Sequence, residues 1–228
     1  MDNIKFYQVG GCVRDEILGL NSKDIDYSVE APSFDAMRAE IIKRGGDIFL
    51  ETPQYLTIRA KVPQMGACDF VLCRKDGQYT DGRRPDEVEM GSLLDDLARR
   101  DFTMNAIAKD EDGNIIDPFG GQADIRSSLI KCVGVPKQVF KEDYLRMLRA
   151  VRFCVTKEFS ISSTIYFAIR ELAHKIRDVS TERIREELHK AFRHDTVKTL
   201  LLLEDLGLTR MVFAEKKIGI WLKPTTEQ

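Results

Sequence analysis

The sequence predicts an α+β fold in which a head with a small mixed sheet is followed by an all-helical segment. Three observations carry this prediction. Two early helical patterns alternate with strand-length apolar runs, and consecutive strand patterns then fill residues 47–73. From Val139 onward apolar residues recur almost wholly at helical spacing. The charge balance changes at the same place. Residues 1–137 hold 18 Lys and Arg against 24 Asp and Glu, a net −6, whereas residues 138–228 hold 17 against 13, a net +4. The expected division is therefore a head over 1–137 and a helical domain over 138–228. An acidic half joined to a basic one suits a polyanionic partner that touches the second half.

Composition narrows the class further. At 43% hydrophobic and 32% charged residues, the chain reads as an ordinary globular protein. No apolar run approaches the length of a membrane span and no signal peptide is evident, so the expectation is a cytoplasmic protein without a membrane partner. The five cysteines show no CxxC spacing and no histidine at ligand spacing, and read as reduced packing residues.

The first element, Ile4 to Val9, is a short apolar strand that Gly10-Gly11 stops. Val13, Ile17, Leu18 and Leu20 then follow helical spacing, so the glycines lie where a strand becomes a helix N-terminus. Free backbone N–H groups and the positive end of the helix dipole make an anion site there, to which Arg14 adds a cation. A second strand, Asp24 to Val29, carries Asp24 and Asp26 on one face and Ile25 on the other. Two neighbouring carboxylates repel unless a cation lies between them, and Mg²⁺ accepts one or two carboxylates together with substrate phosphates. Either feature alone reads as a tight turn or a solvated pair; together with Arg14 they point to nucleotidyl transfer.

Ser33 caps a helix running to Arg44, with Phe34, Met37, Ile41 and Ile42 on its apolar side. Strands follow at Asp47–Leu50, Tyr55–Val62 and Ala67–Cys73, the last bringing Asp69 toward the Asp24/Asp26 pair as a third carboxylate. Residues 74–91 are polar, hold three glycines and a proline, and read as a loop able to act as a lid. Helical signals resume at Ser92 and lead into Arg99 to Ala106, where regular helix would turn Arg100 and Asp101 apart by about 100°. One arginine then faces phosphate while Asp101 and Asn105 brace the junction or a ribose. Ile115 and Ile116 form a short strand before a Pro/Gly turn, in which Asp117 is structural.

In the second half, Tyr144, Leu148, Val151 and Val155 make a core-facing stripe, while Asp143, Arg146, Arg149 and Arg152 wind over the other side. A salt-bridged surface is the plainer meaning; three arginines against two nearby acids favour anions or bases. Asp143 accepts and Arg146 donates, so one turn apart they match a base edge with an amino donor beside a ring-nitrogen acceptor. Cytosine and adenine offer that edge, and guanine and uracil do not. Thr181 to Leu188 reads as a charge-rich helix that stabilises the basic one, and the closing stretch through Trp221 and Pro224 carries no clear element.

Gly10 to Asp15 with Asp24 and Asp26, Arg99 to Ala106, Asp117 to Gly121, Glu142 to Arg152 and Glu182 to Leu188 together resemble the five ordered motifs of the class II tRNA nucleotidyltransferase (CCA-adding) and bacterial poly(A) polymerase family. The resemblance implies a polymerase-β-type head and a helical neck. It implies that Asp24 and Asp26 bind Mg²⁺ in a two-metal site, with Asp69 at the place of the third catalytic carboxylate. It further implies that Gly11, Arg14 and Arg100 hold the triphosphate and ribose, that Asp143 and Arg146 read the base, and that Arg149 and Arg152 complete the pocket. The implied reaction adds C and A from CTP and ATP to the 3′ end of tRNA. A poly(A) polymerase acting on other RNA, a small-molecule nucleotidyltransferase and a binding module without turnover are the alternatives. The family usually continues into body and tail domains that grip tRNA, so the resemblance leaves three expectations: a compact version of the enzyme, a head-and-neck fragment, or a protein in which a partner or self-association replaces the body and tail.

Overall fold

The computed structural model describes residues 4–22, 24–77 and 88–216. The lid reading falls mainly on 78–87 and the closing stretch on 217–228, both outside the described residues. β1 (Lys5–Val9) runs into α1 (Gly11–Ile17) and returns as β2 (Ile25–Glu30). α2 (Phe34–Lys43) starts where the Ser33 hydroxyl accepts from the Ala36 N–H at 3.0 Å, which satisfies one of the free donors of its first turn. β3 (Asp47–Thr52), β4 (Thr57–Val62) and β5 (Gly66–Leu72) follow as an antiparallel run. β6 (Arg74–Asp76) and β7 (Val88–Met90) pair antiparallel at the base of the segment read as a loop.

α3 (Leu93–Ala98) opens with a capping box in which Ser92 and Asp95 satisfy each other's backbone N–H groups. It ends at Ala98, so the helix expected to carry Arg100 and Asp101 does not form. The backbone there is taken by the segment 131–133 of the same chain: Val133 N–H donates to the Asp101 carbonyl and Thr103 N–H to the Lys131 carbonyl. β8 (Ala108–Lys109), β9 (Ile115–Ile116), α4 (Gly121–Arg126) and β10 (Leu129–Ile130) complete the head. The Asp117 carboxylate caps α4, accepting from the N–H groups of Gly121 and Gln122 at 2.7 and 2.8 Å.

The main sheet has the order β3-β4-β5-β2-β1-β8-β9. Only β2 and β5 run parallel, which makes the sheet mixed. One face packs Phe6, Tyr27, Val29, Ile58 and Phe70 against Met37 and Ile41 of α2. Burial of these apolar side chains is what holds the head together, at about 25 cal/mol per Å² removed from water.

The second half comprises α5 (Pro136–Glu142), α6 (Leu145–Thr156), β11 (Ser160–Ile161), α7 (Ser163–Leu172), α8 (Thr181–Phe192) and α9 (Thr196–Asp205). It is helical apart from β11, which pairs in parallel with β10 across the expected boundary near residue 137. The core crosses that boundary too: Val13, Phe102, Met104 and Ile130 of the head pack in one cluster with Leu148, Val151, Phe153, Ile165, Ile184 and Leu203. α6 begins only at Leu145, because Asp143 is extended (φ −154°, ψ 106°) and its carboxylate accepts from the Leu145 N–H at 3.0 Å. The helix read through Glu142–Arg152 is thus two helices with a break at the aspartate, whose capping carboxylate favours a start over an interior. Among the described residues, no helix is long and apolar enough to cross a membrane.

Candidate active site

Sheet register brings the three predicted carboxylates together. Asp26 on β2 lies directly across from Asp69 on the parallel strand β5, and Asp24 precedes Asp26 by two residues. All three line one open cavity of roughly 570 Å³, with Phe49, Arg59 and Cys68 among its other walls. Burial raises the Asp26 carboxyl above the usual range, and the charges of Asp69 and Asp24 push the same way while Arg100 and Arg59 oppose them. Among the described residues no side chain hydrogen-bonds to Asp24 or Asp26. Asp69 differs: Arg59 holds both of its oxygens in a fork, Nε at 2.5 Å and Nη2 at 2.6 Å.

These oxygens fit a hard divalent cation. Those of Asp24 and Asp26 are like-charged and have no side-chain partner among the described residues, those of Asp69 are shared with Arg59, and Mg²⁺ takes oxygen ligands with substrate phosphates and water completing its shell. Among the described residues no group of three or more His, Cys, Asp and Glu is arranged to hold an ion by itself. A cation here therefore depends on the substrate as well as on the protein.

The glycine turn also makes room for a neighbouring side chain. Gly10, at φ +75°, is the demanding position, since a Cβ there would stand 2.6 Å from Nη1 of Arg100. At Gly11 a Cβ would meet Arg14 Nη2 at 3.6 Å, an ordinary contact. Gly10 thus admits the Arg100 guanidinium, which donates to the Asn105 carbonyl at 3.3 Å and to Asp96 at 3.1 Å. The Nε of Arg100 is buried with no acceptor among the described residues, which leaves one donor for an anion. Asp96, fully buried, also binds Arg99 and the Ser28 hydroxyl, and so fixes both arginines beside β2.

Arg14 points inward. It is buried, pairs with Asp15 at 2.8 Å and donates to Asn105 Oδ1 at 2.6 Å. Asn105 passes the link on to Asp101, whose other oxygen accepts from Arg149 at 2.6 Å. Burial alone would raise the Asp101 carboxyl, but Arg149 and Asn105 outweigh it and hold the group at about 2. Arg152 pairs with buried Glu187 at 2.5 Å. The guanidiniums of Arg152, Arg14 and Arg149 lie 4.0, 5.1 and 5.7 Å from the centre of the Phe153 ring.

The predicted base-reading pair is divided between partners. The Asp143 carboxylate faces α8, where Arg183 binds it at 2.6 and 3.2 Å. Arg146 donates to Glu142 at 2.5 Å and to the carbonyls of Val139 and Arg99 at 3.1 and 2.9 Å. Asp143 and Arg146 are therefore not the adjacent pair that a continuous helix would present.

Sequence reading missed Arg59, Asp96 and Phe153, whereas Arg183 and Glu187 belong to the charge-rich helix expected to stabilise the basic one and do so by pairing with Asp143 and Arg152. Arg59 was open to discovery, because Ile58-Arg59-Ala60 alternates apolar and charged on a strand beside one bearing Asp69. Asp96 gave no signal, since nothing local distinguishes a buried helical aspartate from the solvated Asp95 beside it.

A strand, a glycine turn and a short helix, followed by a strand that presents paired carboxylates on an open sheet face, define a nucleotidyltransferase head. Residues 6–131 match the family described as Poly A polymerase head domain, and residues 158–217 the one described as probable RNA and SrmB-binding site of polymerase A. The chain belongs to the CCA-adding enzyme and poly(A) polymerase family, of the polymerase-β nucleotidyltransferase type. It is 39% identical over 225 residues to the CCA-adding enzyme of Geobacillus thermodenitrificans, covering 95% of this chain and 53% of the relative. The fold superposes with a TM-score of 0.81 on the crystal structure of the Bacillus stearothermophilus CCA-adding enzyme in complex with CTP, at 33% identity over 92% of this chain and 50% of that one. A tRNA nucleotidyltransferase complexed with a primer tRNA and an incoming ATP analogue matches at 0.76, with 28% identity over 92% of this chain and 59% of that one. The chain spans about half the length of the curated relatives it matches.

Proposed function

We propose that the protein adds C and A, without a template, to the 3′ end of tRNA, using CTP and ATP and releasing pyrophosphate. The carrying observation is the placement of Asp24, Asp26 and Asp69 in one open cavity by the β2–β5 register. Support comes from relatives of the same fold that bind CTP, or a primer tRNA with an ATP analogue.

In this reading Asp24 and Asp26 would hold the Mg²⁺ ions, which would supply charge neutralisation at the phosphates and a more acidic 3′-hydroxyl. The acceptor hydroxyl attacks the α-phosphorus, its bond to oxygen forms as the bridge to the β-phosphate breaks, and pyrophosphate leaves. Asp69 receives the hydroxyl proton or holds metal once Arg59 releases it. Arg100, with its unpartnered Nε, and the N–H groups at Gly11 bind the triphosphate. Arg14 acts one layer below, holding Asn105 and through it the Arg149–Asp101 pair. Asp143 and Arg146 read the base, a role for which Asp143 exchanges Arg183 for the exocyclic amino group of cytosine or adenine. Arg149 and Arg152 form the wall behind it. The head over 1–137 carries the chemistry and residues 138–228 the base and RNA contacts, although one core spans both.

The test is incorporation of labelled CTP and ATP, separately and together, into tRNA lacking its 3′ CCA and into an unstructured RNA. Growth by three nucleotides on the tRNA alone, dependent on both triphosphates, is the expected result. Long tails from ATP alone identify a poly(A) polymerase instead. Nucleotide binding without extension overturns addition by this chain alone and directs the search to a partner or second copy that grips the acceptor.

A further inference from the structure

A row of side chains crosses the open sheet face outward from the carboxylates. Asp26 on β2 pairs with Asp69 on β5, Asp69 with Arg59 on β4, and Arg59 with Leu50 on β3. Adjacent strands lie about 4.8 Å apart, so the row runs roughly 14 Å from the carboxylates to the sheet edge. At that edge the pairing slips: Ile48 opposes Ala60 and Leu50 opposes Arg59, so Phe49 is the extra residue of a β-bulge. A bulge re-aims the side chain it carries. Here it leaves the Phe49 ring 57% exposed and in the wall of the cavity that holds Asp24, Asp26 and Asp69. A lone exposed phenylalanine needs no explanation. One turned by a bulge into a charged cavity, two strands from a carboxylate and next to an exposed arginine fork, does.

We propose that Phe49 and Arg59 seat the last nucleotides of the RNA acceptor, the ring stacking on a base and the guanidinium receiving a backbone phosphate. The inference rests on the reaction proposed above and assigns the side from which its attacking hydroxyl arrives. The neck packs on Phe102, on Met104 and, through Cys12 and Val13, on α1, the helix that joins β1 to β2 and lies against both. Phe49 lies away from that helix, at the β3 edge. The carboxylates on β2 and β5 therefore stand between the nucleotide-binding side and Phe49. In-line displacement needs that order, because the attacking oxygen and the leaving pyrophosphate occupy opposite sides of the α-phosphorus. An aromatic platform beside arginine is also the usual chemistry for gripping unpaired nucleotides, whose bases stack whatever their identity. Withdrawal of Arg59 toward a phosphate would in addition free the Asp69 oxygens that it now covers.

The experiment uses the full chain as wild type, Phe49→Ala and Phe49→Tyr. It measures binding of a fluorescent RNA with an unpaired 3′ end by anisotropy, and binding of CTP by calorimetry. Stacking of one base corresponds to a loss of roughly 5- to 150-fold on truncation, so Phe49→Ala is expected to weaken RNA binding at least about fivefold. Phe49→Tyr is expected to restore it, with CTP affinity within about twofold in both variants. RNA binding unchanged in Phe49→Ala, or absent in wild type, overturns the proposal. An equal loss of RNA and CTP overturns it as well and moves the ring to the incoming base. Phe49-dependent RNA binding without extension would defeat the reaction while leaving the seat. Extension with an unaltered KM for RNA in Phe49→Ala would defeat the seat while leaving the reaction.

Discussion

The carboxylate cavity of the head and the charged junction between head and neck use the same residue types to opposite ends. In the cavity, Asp24 and Asp26 lack side-chain partners among the described residues, and desolvation together with the charges of Asp69 and Asp24 pushes the Asp26 carboxyl above its usual range. At the junction each charge meets its opposite. Asp101 holds Arg149 and Asn105, Glu187 holds Arg152, and three guanidiniums surround the buried ring of Phe153. The first arrangement is unfavourable in the protein alone and awaits something positive. The second is complete as it stands. In the proposed reaction the unpartnered Asp24 and Asp26 are where the chemistry falls, and the compensated charges of the junction are the frame that holds them.

The widest separation between the two regions comes from Asp24→Ala. In the proposed reaction Asp24 acts at the reacting phosphates, so its removal is expected to lower nucleotide incorporation by at least about 10²–10³-fold. Because the change also relieves repulsion on Asp26, the thermal midpoint should hold or rise. An active variant would remove the cavity from the mechanism, and a melted one would make Asp24 part of the frame.

Asp101→Ala is the converse. It leaves Arg149 and Asn105 without their buried partner, and breaking such a pair costs about 3–5 kcal/mol. Because the Arg149 side chain keeps about a third of its exposure, the lower end applies. Denaturant unfolding reads the loss. The same carboxyl gives a pH signature: its folded pKa, about 2, lies below the ordinary 3.8. The resulting stability is present above pH 4 and is lost as pH falls from about 4 toward 2, by roughly 2 kcal/mol. Asp101→Asn should lack that acid-dependent slope.

This contrast also explains what the sequence could disclose. The paired carboxylates were legible because strand alternation puts Asp24 and Asp26 on one side without reference to anything distant. Asp69 was a weaker inference, since only the parallel β2–β5 register sets it across from Asp26. The arginines were legible as cations but not in their roles. Arg14, Arg149 and Arg152 meet Asn105, Asp101 and Glu187 across separations of 91, 48 and 35 residues, which no local pattern reports. Helical periodicity failed at Asp143 because its own carboxylate caps the next helix, and at Asp101 because backbone contacts with residues 131–133 took the chain out of the helix that spacing favoured.

A smaller effect tests whether Asp143 belongs to the frame or to the site. Its exchange of Arg183 for a base amino group predicts that Asp143→Ala loosens discrimination against GTP and UTP by about 5- to 150-fold, the range of one good bidentate base contact. Arg183→Ala should shift discrimination less, because it removes the competitor and not the reader. Competition between labelled CTP and unlabelled GTP checks both. Full exclusion of GTP and UTP by Asp143→Ala would place the residue in the frame with Asp101.

The finest test is Glu187→Gln, which keeps the shape of the side chain and removes the charge that Arg152 meets. Burial already weakens the charged form of Arg152, and Glu187 opposes that effect. Arg149 and Lys190 stand at 4.0 and 3.9 Å, so Glu187 collects cations from two helices and neutralises the back of the wall. If Arg152 serves only as wall, the substitution should lower stability by about 1 kcal/mol, the scale of a hydrogen bond that keeps its geometry but loses its charge. KM for CTP should then stay within about twofold. If Arg152 instead swings onto a phosphate when nucleotide binds, Glu187 competes with the substrate, and KM should fall as stability does. Steady-state kinetics beside a melting curve separate the two cases, and unchanged KM with a lowered midpoint is the expected result.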